Sequence, residues 1–172
     1  MSFIEEIKQR AKQDIKTIVL PEAEDIRILE ATQNVLKEKY ANIVLVGNQE
    51  KIEQKAKENE IDIQGAKIVD PITSTKYNEY ADLLYELRKH KGMTIEQAKE
   101  LVKEPVYYGM LMVKKGEADG LVSGAAHSTS DTLRPALQIL KTGERHKISF
   151  CIFCYGCAKL QIWRKWNIYF CR

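Results

Sequence analysis

Three short apolar runs constrain this chain most: Lys16 to Leu20 (KTIVL), Ile43 to Val46 (IVLV) and Lys67 to Val69 (KIV). Each is rich in β-branched residues and is closed by a breaker: Pro21, Gly47, or Asp70 with Pro71. Runs of this length and composition read as buried strands. Helical spacing fills the intervals between them. Residues 3–12 bring Phe3, Ile4, Ile7 and Ala11 to one face, and residues 25–39 do the same with Ile28, Leu29, Val35 and Leu36. Residues 49–59 read as a charged surface helix. In 76–90 the apolar face is Tyr80, Leu83, Leu84 and Leu87.

Thr94 with Gln97 three residues later has capping-box spacing, so a helix is expected over 94–103. Pro105 opens the next helix, where a first-turn proline loses no bond, and Gly116 closes it. A fourth strand follows over 118–123 (ADGLVS), then a loop of small residues over 124–130, then a helix over 131–141 with Pro135 in its first turn. Strands alternating with helices specify an α/β class: an open, mostly parallel sheet flanked by helices.

The loop is where chemistry is expected. In an open α/β sheet, ligands bind outside the carboxyl ends of the strands. Residues 123–132 hold that position and offer Ser123, Ser128, Thr129, Ser130 and Thr132 as hydroxyl donors, while Gly124 permits close backbone approach. The helix that follows presents free N–H groups to an anion, and Arg134 near its start can grip a phosphate through two bonds. The bland alternative is a polar loop that only caps a helix, with Ser130 or Asp131 as the cap. Arg88 is a second candidate, read otherwise as one of several cations at a helix C-terminus. His127 has no evident carboxylate or cysteine partner nearby in sequence and reads as a loop or packing histidine. No Walker pattern and no G-x-G-x-x-G occurs.

Residues 119–138 (DGLVSGAAHSTSDTLRPALQ) resemble the phosphate acetyltransferases and the related phosphate butyryltransferases. The stretches 18–31 (IVLPEAEDIRILEA), 88–93 (RKHKGM) and 105–122 (PVYYGMLMVKKGEADGLV) fit the same family in the same order. The resemblance covers about residues 1–144. It implies acyl transfer between coenzyme A and inorganic phosphate, acetyl-CoA + phosphate ⇌ acetyl phosphate + CoA, with coenzyme A as substrate and no metal or other cofactor. It also implies a fold like the isocitrate and isopropylmalate dehydrogenases, here incomplete, and pairing as homodimers. By the family pattern Arg134 and Arg88 match active-site arginines, which would stabilise developing oxyanion charge. Ser128, Thr129 and Thr132 would lie beside the phosphate, and Ser123 and Gly124 are counted with them as phosphate- or substrate-binding residues.

Charge and cysteine set residues 145–172 apart. Residues 1–144 hold 21 Lys+Arg against 24 Asp+Glu, a net of −3, with no Cys and no Trp. Residues 145–172 hold 6 Lys+Arg and no acid, all four cysteines and both tryptophans. The whole-chain charge of +3 is therefore an average of two unlike parts, and it is no argument for nucleic acid. Cys151, Cys154 and Cys157, with Cys171 further on, have a spacing similar to an iron–sulfur or zinc site, which would make the chain an α/β binding module with a metal-binding tail.

The other reading is a frameshift. Read one base later from an AGG codon at Arg145, the tail becomes similar to phosphate acetyltransferase sequence, and Trp163 and Trp166 force two glycines there. On that reading residues 1–144 are the N-terminal α/β domain and 145–172 are not a domain. The family's Ser-Arg pair and the aspartate that deprotonates the CoA thiol would then be missing. The chain alone is expected to be inactive, since general-base help is worth about 10²–10⁴-fold. No apolar run approaches the roughly 20 residues of a membrane span, and Glu5 and Glu6 interrupt the first apolar stretch, so neither a membrane nor a secretory signal is expected. The expected setting is cytoplasmic.

Overall fold

The computed structural model describes residues 3–141. Its helices are α1 (Phe3–Gln13), α2 (Ile26–Glu38), α3 (Gln49–Glu58), α4 (Tyr77–Arg88), α5 (Ile95–Val102), α6 (Pro105–Lys115) and α7 (Thr129–Ile139). Its strands are β1 (Lys16–Leu20), β2 (Ala41–Val46), β3 (Lys67–Val69) and β4 (Gly120–Leu121), and a 3-10 turn (Lys89–Lys91) follows α4. All strand pairs are parallel and the order is β3-β2-β1-β4. Leu20 lies beside Leu45, Val46 beside Val69, and Val19 beside Leu121.

Alternation along β2 divides the core. Val44 and Val46 face Tyr80, Leu84, Val102 and Leu111, from the layer of α4, α5 and α6. Ile43 and Leu45 face Leu29 and Ile52, from α2 and α3. Successive strand residues point to opposite faces, and a parallel sheet covered on both sides therefore needs an unbroken apolar strand rather than an alternating one. Helix α6 lies close against the sheet at Gly109. A Cβ there would sit 2.7 Å from Leu121 Cδ1 and 2.8 Å from Val19 Cγ1, so only glycine permits this approach.

Several boundaries differ from expectation. β2 begins at Ala41 rather than Ile43, because its ladder with β1 extends back to Lys16. The 118–123 strand reduces to Gly120–Leu121. Asp119 is withdrawn from the ladder: its carboxylate accepts from the Thr17 N–H at 2.8 Å while its own N–H donates to Thr17 O. Helix α7 starts at Thr129 because Ser128, not Ser130 or Asp131, is its cap. Pro135 then falls in the second turn, where its missing N–H leaves one helical bond unmade. The tail, with all four cysteines and the 144/145 boundary, lies outside the described residues.

The chain reverses its direction of growth across the sheet at β1. β2 and β3 are laid down on one side and β4 on the other. The loops after β1 and β4 are thereby side by side at the carboxyl edge, the usual place for a ligand crevice.

Candidate active site

The loop after β1 supplies Glu22, and the loop after β4 closes around it. Glu22 Oε2 accepts from the N–H groups of Gly124 and Ala125, both at 2.8 Å. Oε1 accepts from the N–H groups of Ala126 and His127, both at 2.7 Å, and lies 2.9 Å from His127 Nδ1. Gly124 enters this turn at φ +119°, a conformation that side-chain-bearing residues rarely adopt. The Glu22 side chain is 1% exposed. Burial pushes its carboxyl up, but the bonds from Ala126, Ala125 and His127 outweigh burial and hold it down at about 2. Glu22 is therefore ionised near neutrality.

A second grip acts on the opposite polarity of the same loop. Arg27 Nη2 donates to the Ala125 carbonyl at 2.6 Å. Its guanidinium is held in turn by Asp25, with Nε to Oδ1 at 3.0 Å and Nη2 to Oδ2 at 2.6 Å. Asp25 also caps α2 through the Arg27 N–H.

The expected hydroxyl residues lie along this loop and the start of α7. Ser128 caps α7, accepting from the Asp131 N–H at 3.3 Å and donating to Asp131 Oδ2 at 2.6 Å. Ser123 Oγ and Thr132 Oγ1 are 3.3 Å apart, so their hydroxyls meet across the mouth of the loop. Thr129 is exposed in the first turn of α7. Gly124, expected to let backbone approach a ligand closely, has its N–H taken by the protein's own Glu22 carboxylate. His127, expected to lack a carboxylate partner, has one in Glu22.

Helices α4, α6 and α7, which carry Arg88, Tyr107 and Arg134, pack against one another. Burial raises the Tyr107 hydroxyl pKa, and the positive charges of Arg134 and Arg88 both oppose that rise. The Tyr107 hydroxyl donates to Gln138 Oε1 at 3.0 Å, which joins α6 to α7. Arg88 Nε is buried without a hydrogen-bond partner among the described residues. Neither arginine forms an ion pair among the described residues. A buried, unpaired donor on a cation is costly unless something anionic satisfies it.

A cavity of about 340 Å³ adjoins the loop, lined by Pro21–Asp25, Val46, Gly47, Pro105, Ala126 and His127. Among the described residues no cluster of His, Cys, Asp or Glu fits a metal ion, and no helix is long and apolar enough to cross a membrane.

Sequence reading missed Glu22, Arg27 and Tyr107. Glu22 is 102 to 105 residues from its donors, so no local pattern announces the contact. The one usable signal was the Gly124–His127 segment itself, four consecutive N–H groups with no acidic side chain beside them in sequence.

The family model for phosphate acetyl/butaryl transferase matches residues 2–163. A phosphate acetyltransferase of Acetivibrio thermocellus is 54% identical over 153 residues, covering 89% of this chain and 46% of that protein. One of Thermoanaerobacterium thermosaccharolyticum is 50% identical over the same shares. The solved EutD phosphotransacetylase from Staphylococcus aureus superposes with a TM-score of 0.75 at 40% identity, covering 83% of this chain and 43% of that one. The chain thus spans somewhat less than half the length of these relatives.

Proposed function

Because the chain belongs to the phosphate acetyl/butaryl transferase family, we propose that it carries the phosphate-binding part of an acyl-transfer site working on acetyl-CoA and inorganic phosphate. The relatives named above are phosphate acetyltransferases, which favours acetyl as the acyl group. The observation that supports the reading is Arg88 Nε, buried without a hydrogen-bond partner among the described residues, with the charges of Arg88 and Arg134 both acting on the Tyr107 hydroxyl.

In the reaction, a phosphate oxygen attacks the thioester carbonyl. The C–O bond forms, the C–S bond breaks, and the phosphate proton leaves with the thiol. Two anions must meet, and the charge developing on the carbonyl oxygen needs preorganised donors. Arg134 and Arg88 supply positive charge for both. Thr129, Thr132 and Ser123 offer hydroxyls, while Ser128 and Gly124 shape the loop that presents them. The N–H groups in the first turn of α7 add the positive end of its dipole. Residues 1–144 act as the N-terminal α/β domain, and 145–172 is read as out of frame.

Titrating inorganic phosphate into the chain, followed by calorimetry or ³¹P NMR, tests the reading. Arg134→Ala and Arg88→Ala are each expected to weaken binding about tenfold or more, the loss of one charged bond of about 1.5–3 kcal/mol. Equal affinity in wild type and both variants refutes it.

A further inference from the structure

Glu22 carries the same sign of charge as the phosphate, yet it is placed, ionised and buried, at the edge of the loop that is to bind that phosphate. Five donors converge on it: the N–H groups of Gly124, Ala125, Ala126 and His127, and the His127 ring. A run of backbone N–H groups in this form is a ready anion cradle. Here the cradle is occupied from within, so an incoming phosphate must be held elsewhere. What remains for it is the start of α7 and the arginines.

The geometry points to Glu22 as a positioning residue. By gathering the N–H groups of residues 124–127 and the His127 ring, its carboxylate fixes the loop whose next residue, Ser128, caps α7. It thereby aims the first turns of α7, with Thr129, Thr132 and Arg134, at the phosphate. This inference rests on the phosphate reading above. The turn between β1 and α2 grips the loop by both polarities: Glu22 takes its N–H groups, and Arg27, braced by Asp25, takes the Ala125 carbonyl. One short segment thus determines the loop's conformation.

The arrangement dictates a tautomer. An ionised carboxylate only accepts, so the His127 Nδ1 facing it must carry the proton. A neutral His127 ring is then Nδ1–H, with Nε2 left as an acceptor. The ring lines the 340 Å³ cavity and is about one-third exposed. A merely space-filling Glu22 would impose no such tautomer.

The test uses the full 172-residue chain. Side-chain ¹⁵N–¹H correlation spectra report the His127 tautomer, and titration with inorganic phosphate reports affinity. Wild type is expected to show Nδ1–H. Glu22→Gln is expected to lose that preference and to bind phosphate about tenfold more weakly, roughly the value of one charged bond. In Glu22→Gly, added formate is expected to enter the empty cradle and restore phosphate affinity saturably, whereas Glu22→Gln gains nothing from formate. An Nε2–H tautomer in wild type overturns the inference, even if every variant fails to fold. So does unchanged phosphate affinity in Glu22→Gln, or a formate-insensitive Glu22→Gly. A wild type that is Nδ1–H but silent to phosphate counts against the phosphate reading and for the Glu22 lock.

Discussion

Acid should erase the stability that this chain holds over one lacking the Glu22 carboxylate. The folded state holds Glu22 at about 2 against an ordinary value of 4.5. Each pKa unit is about 1.4 kcal/mol, so the ionised carboxylate contributes about 3 kcal/mol at neutral pH. The sign follows from the depressed value: the contribution is complete above 4.5 and is lost as pH falls toward 2. About 2 kcal/mol of it is gone by pH 3, where the unfolded chain already binds the proton and the folded chain does not. Other carboxylates with lowered values, Asp25 and Asp131 among them, also weaken the fold in acid. The comparison that isolates Glu22 is therefore wild type against Glu22→Gln. The amide turns one accepting oxygen into a donor that faces two N–H groups, whereas a protonated Glu22 resembles it. Urea unfolding at a series of pH values is expected to give a gap of about 3 kcal/mol that holds from pH 7 to about pH 5 and then narrows toward pH 2. A gap that is flat with pH, or below about 1 kcal/mol throughout, refutes the assignment of these bonds to an ionised carboxylate.

Gly109→Ala forces a Cβ into Val19 and Leu121. Overpacking costs about 1–3 kcal/mol and outweighs a helix-propensity gain of about 1 kcal/mol, so the urea midpoint is expected to fall. Arg88→Met removes a buried donor that has no partner among the described residues. The fold is expected to gain about 1 kcal/mol while phosphate binding weakens, and a variant that loses stability counts against Arg88 being unpaired by design. For residues 145–172, the frameshift reading expects independent reads of the gene to differ around codon 145. A single uninterrupted frame, with near-stoichiometric iron or zinc bound by anaerobically purified protein, favours the cysteine site instead.

What the sequence determined by itself was local. Apolar runs of three to five residues between breakers specify buried strands, because only a strand covered on both faces is apolar without alternation. The Thr94–Gln97 capping box formed as spacing foretold, since its partners are three residues apart. Arg88, Arg134 and the hydroxyl loop were legible as a motif.

The tertiary structure decided the rest. The strand order β3-β2-β1-β4 brings the loops after β1 and β4 together, and no local periodicity encodes which loops become neighbours. That order delivers Glu22 to four N–H groups about a hundred residues away and gives His127 the carboxylate partner its own neighbourhood lacks. Helices α4, α6 and α7, which carry Arg88, Tyr107 and Arg134, are likewise packed against one another only in the fold. Capping and strand burial are short-range and can be read along the chain. The charge balance of the loop is long-range, and it exists only once the crossovers have been made.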